Sequence, residues 1–439
     1  MNLPVVSLPT ATETVTHPSH HHASSETLEL LEWPVVCEHL ATFASTRMGL
    51  ESARATQLPQ SLAETLQRQA ETVEMAVLDD LTEGGLSFRG VNDLRPVLLR
   101  CLKGGVASGE ELLAVAGTLA AGRKLRRQID DPELRPVCTA LIETMVTLPD
   151  LEERLKFSLE EGGRVADRAS PPLAGLRQQW NGVRQERRDK LQELTRRYAS
   201  FLQDSVIAQR HGRPVLAVKA GAVGQVSGQV HDSSASGNTV FIEPRSVLTM
   251  GNKLVDIEAR IRKEEQRVLA ELSDLVAQDE RVLNSLVEIL LALDLALARG
   301  RYGRWLGAVP PHLLEDPEAP FLLRDLRHPL LIWQHKRSSG SPVVPISVDV
   351  SAQLRVVAIT GPNTGGKTVS LKSLGLVALM ARAGMLFLAL AGQPCPGAPK
   401  CWPISAMSNL FNRACPRLVD TSNASAGFCR RLNPVQLPP

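Results

Sequence analysis

Gly361-Pro-Asn-Thr-Gly-Gly-Lys-Thr368 is the stretch whose residue types and spacing could do chemistry. It fits G-x-x-x-x-G-K-[ST], a loop that wraps phosphates. Gly361, Gly365 and Gly366 let the backbone bend so that successive N–H groups point inward at phosphate oxygens. Pro362, Asn363 and Thr364 span the bend, and Asn363 can reach a terminal phosphate. Lys367 supplies charge to the β- and γ-phosphates, and the Thr368 hydroxyl is the candidate Mg²⁺ ligand. A helix starting near Lys367 would add the positive end of its dipole. The set reads as a phosphate-binding site with a hydroxyl ready for Mg²⁺.

Hydrolysis needs more. A carboxylate on a second strand must hold the metal, and another group must orient water. After Thr368 the sequence offers one acidic residue, Asp420, in "PRLVD". No catalytic residue is assigned, so the expectation is nucleotide binding without competent turnover.

The loop needs a strand before it and a helix after it. The apolar run Leu354–Ile359 predicts the strand, and the helical period resumes at Lys367. The window Leu374–Gly392 holds 19 residues with only Arg382 charged, which meets the length of a membrane span. Its first half is the helix that must follow the loop, so we read it as a core helix and expect no membrane partner.

Upstream the pattern is mostly helical. Residues 1–26 are polar, aperiodic and read as a disordered tail. Its His17, His20, His21 and His22 lack the Cys or carboxylate partners a metal site would use. Residues 27–169 read as an N-terminal helical core, in which Ser108 and Glu111 have capping-box spacing. Residues 170–310 read as two long antiparallel helices around a small β insert at about 214–244. The first, Leu176–Gln209, puts Trp180, Val183, Leu191, Leu194, Tyr198 and Phe201 on one face. From Leu176 to Arg213 there are nine Lys and Arg against four Asp and Glu. That stripe is either a solvated face or one that tracks phosphates.

The return helix carries Leu254, Ile261, Val268, Leu275, Val282 and Ile289 at seven-residue intervals. Leu272, Leu286 and Leu293 fill the second seam position, which Glu265 and Asp279 interrupt. This favours a hairpin inside a domain over an autonomous coiled coil. In the insert, "HDSSASGN" (His231–Asn238) is a polar loop. A Ser/His/Asp trio within eight residues does not converge like a hydrolase triad, so a structural role is expected.

The formal net charge is only +2, so a polyanion partner must be met by a local patch. Cys37, Cys101 and Cys138 show no paired metal spacing and read as free thiols. No Lys or Arg precedes Arg47, so a signal peptide is not expected. The expected location is cytoplasmic.

The cradle with its Pro-Asn-Thr-Gly-Gly core resembles the MutS family of DNA-repair ATPases. "RHPLL" (Arg327–Leu331), "GQVHDSSASGNTVFIEP" (Gly228–Pro244) and "TLELLEWPVVCEHLATFAS" near the start resemble its bacterial MutS-two subfamily. The resemblance covers about residues 27–384. It implies a mostly α helical core and lever, then a partial α/β P-loop ATPase domain of the ABC type at 320–384. It further implies ATP and Mg²⁺ as cofactors and a homodimer with composite sites. Partners implied are branched or mismatched DNA, with the ribosome as the alternative and a fragment folded only in its helical half as a third reading. Members usually carry a C-terminal Smr nuclease domain, which this sequence is expected to lack. Arg327 and His328 read as ordering a Pro-pinned turn, with nucleotide contact as the alternative.

From about Gly384 the composition changes. Met385–Pro439 holds eight Pro, four Cys and one acidic residue, where the resemblance calls for a strand ending in Asp-Glu. "CWPISAMSNLFNRACP" (Cys401–Pro416) can be encoded by codons that, with the first two nucleotides dropped, read L-A-D-I-G-D-E-Q-S-F-Q-Q-S-L-S. The codon choices are free, so this is a consistency. It leads to the expectation that residues 385–439 are translated out of frame.

Overall fold

The structure is a computed structural model that describes residues 25–311, 313–314, 321–338, 342–350, 366–387 and 402–403. The chain is mostly helical with a small antiparallel sheet, as expected. The N-terminal helices are α1 (Ser25–Leu30), α2 (Trp33–Ala41), α3 (Arg47–Arg54), α4 (Leu62–Leu81), α5 (Arg95–Leu102), α6 (Gly109–Ile129), α7 (Pro136–Glu143) and α8 (Pro149–Ser158). The long helix α9 (Pro171–Arg197) leads into β1 (Ala208–Arg210), β2 (Arg213–Lys219), β3 (Gly228–Ser233) and β4 (Thr239–Pro244). Then come α10 (Arg245–Gln278) and α11 (Glu280–Leu306). Further on lie β5 (Leu313–Leu314), β6 (Phe321–Leu326), α12 (Pro329–Ser338), β7 (Ile346–Val350), α13 (Lys367–Arg382) and β8 (Trp402–Pro403).

Two compact units share the chain without following its order. One takes residues up to Arg89, then Arg126–Thr144 and Ile289 onward; the other takes Gly90–Leu125 and Met145–Glu288. The division falls inside α6 and inside α11.

The first unit has an apolar core built on α13. Leu376, Val377, Leu379, Met380 and Ala381 are fully buried there, with Leu31, Val36 and Leu40 from the N-terminal helices. A helix apolar on every side is a core helix. No helix among the described residues is long and apolar enough to cross a membrane. The window that imitates a span therefore ends as helix at Arg382, and Gly384 at φ 79° turns the chain. Charges are also buried in this unit. Arg299 gives Nε to Thr72 Oγ1 at 2.7 Å and faces Glu71 Oε2 at 3.4 Å. Burial pulls its guanidinium down to about 10, still charged at neutral pH. His39 stacks on Trp333 at 3.7 Å between ring centroids. In the same unit β6 pairs antiparallel with β7.

The second unit holds the hairpin and the insert. α9 and α10 pack through Leu176, Trp180, Val183, Leu254 and Ile257. The sheet has the order β1-β2-β4-β3 and is antiparallel throughout. It closes a small core with Leu191, Leu194, Leu202 and Val247.

Two helix limits differ from those expected. The first long helix stops at Arg197 rather than Gln209; Phe201 lies in a single 3₁₀ turn and Gln209 in β1. The apolar residues Leu202, Ile207 and Leu216 satisfy the sheet core, and the helical period ends where that core begins. The return helix breaks at Asp279, whose φ of −98° and ψ of 15° leave the helical region. The strict seven-residue seam is buried at Leu254, Val268 and Ile289 but only half-buried at Ile261, Leu275 and Val282. A straight helix drifts about 20° per heptad against such a repeat. Burial accordingly passes to Leu272, Val276, Leu283, Leu286 and Val287.

Candidate nucleotide site

Of the eight cradle residues, Gly366, Lys367 and Thr368 are placed by the structure. Gly361, Pro362, Asn363, Thr364 and Gly365 lie outside the described residues, as do the Leu354–Ile359 strand and the N-terminal histidines. Gly366 caps α13 in the left-handed region, at φ 75° and ψ 12°. No atom lies within 4 Å of where its Cβ would stand. Glycine is required there by the backbone angle, not by crowding.

Lys367 and Thr368 are the first two residues of the helix, Lys367 half-buried and Thr368 exposed. The first helical hydrogen bond is Ser370 N–H to Gly366 O at 2.9 Å. The N–H groups of Lys367, Thr368 and Val369 therefore have no acceptor inside the helix. Three free donors, a helix dipole and an ammonium fit a polyphosphate. For Mg²⁺, the structure offers the exposed Thr368 hydroxyl. Among the described residues, no group of three or more His, Cys, Asp or Glu is placed to hold a metal.

The rest of α13 is anchored far more tightly than its first turn. Gln69 Nε2 donates to Ala381 O at 3.0 Å, and Arg382 Nε to Pro59 O at 2.8 Å. A Cβ on Gly375 would stand 2.7 Å from Leu31 Cδ2, so the turn between α1 and α2 rests directly on the helix backbone. Lys372 Nζ lies 3.2 Å from Glu32 Oε2. None of these partners was picked out from the sequence, because each sits some 310 to 340 positions away along the chain.

His328 is 6% exposed and its carbonyl accepts from Ile332 N at 3.1 Å, opening α12 just before Pro329. Its Nδ1 is buried without a hydrogen-bond partner. Burial pushes the imidazole below its usual range. The "HDSSASGN" stretch is divided between β3 and a turn. Ser234 Oγ accepts from Thr239 N at 3.1 Å and closes the hairpin. His231 Nε2 meets the fully buried Glu243 Oε2 at 2.8 Å, away from any serine contact. On α9, Arg184 lies over Trp180 at 5.1 Å, and Arg188 and Arg196 are exposed. Cys37, Cys101 and Cys138 are free and buried, as expected.

No family profile matches the chain. Individual proteins do. It is 46% identical over 363 residues to a protein named "Endonuclease MutS2" from Synechocystis sp., covering 82% of this chain and 44% of that one. A protein of the same name from Pelotomaculum thermopropionicum is 40% identical over 364 residues, 82% of this chain and 45% of its own. Another from Geobacillus kaustophilus is 38% identical over 371 residues, 83% and 46% respectively. The chain thus spans somewhat under half the length of the curated relatives it matches.

Proposed function

Because this chain belongs to the MutS2 subfamily, we propose that it binds ATP with Mg²⁺ at Gly361–Thr368 and acts with DNA in repair or recombination control. The observation that carries the reading is the start of α13. Gly366 takes the left-handed turn, and Lys367 and Thr368 follow on a helix whose first N–H groups are unpaired. The fold proposed around it is a partial α/β P-loop domain within 320–384, and the proposed assembly is a homodimer. Exposed arginines of α9 supply a local positive surface suited to a phosphate backbone. This polypeptide is proposed to hold nucleotide without turning it over, since Met385–Pro439, where the resemblance calls for a strand ending in Asp-Glu, holds one acidic residue, Asp420.

A fluorescent ATP analogue titrated into the purified chain tests the site. Lys367→Ala should weaken binding at least tenfold, and phosphate release should stay at background with or without branched DNA. Release abolished by Lys367→Ala would overturn the inactive reading. Binding untouched by that change would overturn the cradle.

The off-pattern stretch is proposed to be a shifted reading frame. Met385 and Phe387 are buried at 0% and 3%, and Phe387 bridges Val309. The shift is proposed to fall between about Gly384 and Gly392, and the packing of Met385 and Phe387 supports a position late in that range. Sequencing the source DNA across those codons decides it, and the absence of a restoring frame would end the proposal.

A further inference from the structure

Behind the first turn of α13 lies a small charged cluster that the nucleotide reading does not use. Thr368 and Lys372 are four apart and so share a helix face. Lys372 Nζ is held 3.2 Å from Glu32 Oε2. Glu32 joins α1 to α2 at φ 59° and ψ 30°, in the left-handed region that side-chain-bearing residues rarely adopt. Its neighbour Leu31 packs on Gly375, three residues beyond Lys372. Two adjacent residues of the α1–α2 turn thus grip two positions of α13 one turn apart. His328, buried and with Nδ1 unpaired, feels the charges of both Glu32 and Lys372.

Left alone, an ammonium one turn behind the Thr368 hydroxyl would repel a divalent cation bound there. Resting on the nucleotide reading above, we infer that Glu32 is a positioning residue for the metal-bound nucleotide. It neutralises Lys372 behind the metal-binding hydroxyl and fixes the rotation of α13 through the α1–α2 junction. The left-handed backbone at Glu32 aims the carboxylate at Lys372 while Leu31 sits on the helix.

The test is the ratio of affinities for a fluorescent ATP analogue with Mg²⁺ and with chelator, measured on the full chain. Glu32→Gln should lower that ratio about threefold at low ionic strength, an effect that shrinks as salt is added. Lys372→Gln should raise it, and the double variant should return it to the starting value. A merely structural contact would change affinity in both conditions alike and leave the ratio still. Melting temperatures of the three variants separate unfolding from the charge effect. An unchanged ratio in Glu32→Gln, with binding still dependent on Lys367, overturns this inference and leaves the cradle standing. Binding that is absent, or indifferent to Lys367→Ala, overturns both.

Discussion

Arg177 in α9 donates to Glu265 in α10 at 2.6 Å, so the acid that interrupts the apolar seam is half of an interhelical ion pair. The same guanidinium reaches Val165 O at 2.9 Å and the Asp167 carboxylate. With side-chain exposures of 15% and 29%, the pair is sheltered but not sealed. Arg177→Leu alone should cost about 1–3 kcal/mol, because it strands Glu265 and removes the donor to Val165 O. Arg177→Leu with Glu265→Leu should recover most of that loss by completing the seam. Urea unfolding of both variants checks the order, and equal losses would contradict it.

Arg299 is the charge whose removal should hurt most. Its side chain is 7% exposed, and without it Glu71 would be left buried with no ion-pair partner among the described residues. Arg299→Met is expected to destabilise the chain by about 3–5 kcal/mol. Thermal melting of the first unit's transition is the measurement.

Acid should loosen the His39–Trp333 stack. Burial first, and the Arg337 charge second, push His39 down to about 4 from its ordinary 6.5. The unfolded chain therefore binds a proton more readily between those values. The stability that neutral His39 contributes is present above about 6.5 and lost as pH falls toward 4. His39→Phe keeps a ring on Trp333 and should flatten stability across that window. A slope identical to that of the unmodified chain would disprove the assignment.

Gly366→Ala isolates backbone angle from sterics. At φ 75° with open space around the added Cβ, the cost is conformational, about 1–2 kcal/mol. The first turn of α13 should fray and nucleotide affinity should fall about tenfold. Gly366→Asn, which tolerates the left-handed region better, should fall less. Isothermal titration of both variants gives the comparison.

Local chemistry was legible where both partners lie within one turn. Ser108 and Glu111 form the expected capping box, with Ser108 N to Glu111 Oε2 at 2.9 Å and Glu111 N to Ser108 Oγ at 3.2 Å. Ser61 and Glu64 carry the same spacing. There Ser61 Oγ accepts from Glu64 N, while Glu64 reaches back to Gln60 N. The start of α13 was legible for the same reason. A Gly-Gly-Lys-Thr run fixes a left-handed turn and a helix start by the backbone preferences of those residues.

The periodic signals were legible as helix but not as helix ends. Asp279 read as a defect in a seam and is the residue at which α10 stops. The limit of α9 was set by the sheet core that Leu202 and Leu216 enter, which no helical period announces.

Taken alone, the amino-acid order determined the helical class, the β insert, the helix start at Gly366 and Lys367, and the family. These rest on preferences expressed within a few neighbouring residues, or on strings long enough to be recognised. Tertiary structure decided which residues hold those parts in place. Asp294 caps α3 through Ser45 N and Thr46 N at 2.8 and 2.9 Å from about 249 positions away, and Glu74 caps α7 through Val137 N and Cys138 N. Glu32 meets Lys372 across 340 positions. Any carboxylate could satisfy such a donor, so only folding, which brings one particular carboxylate within about 3 Å, makes the choice.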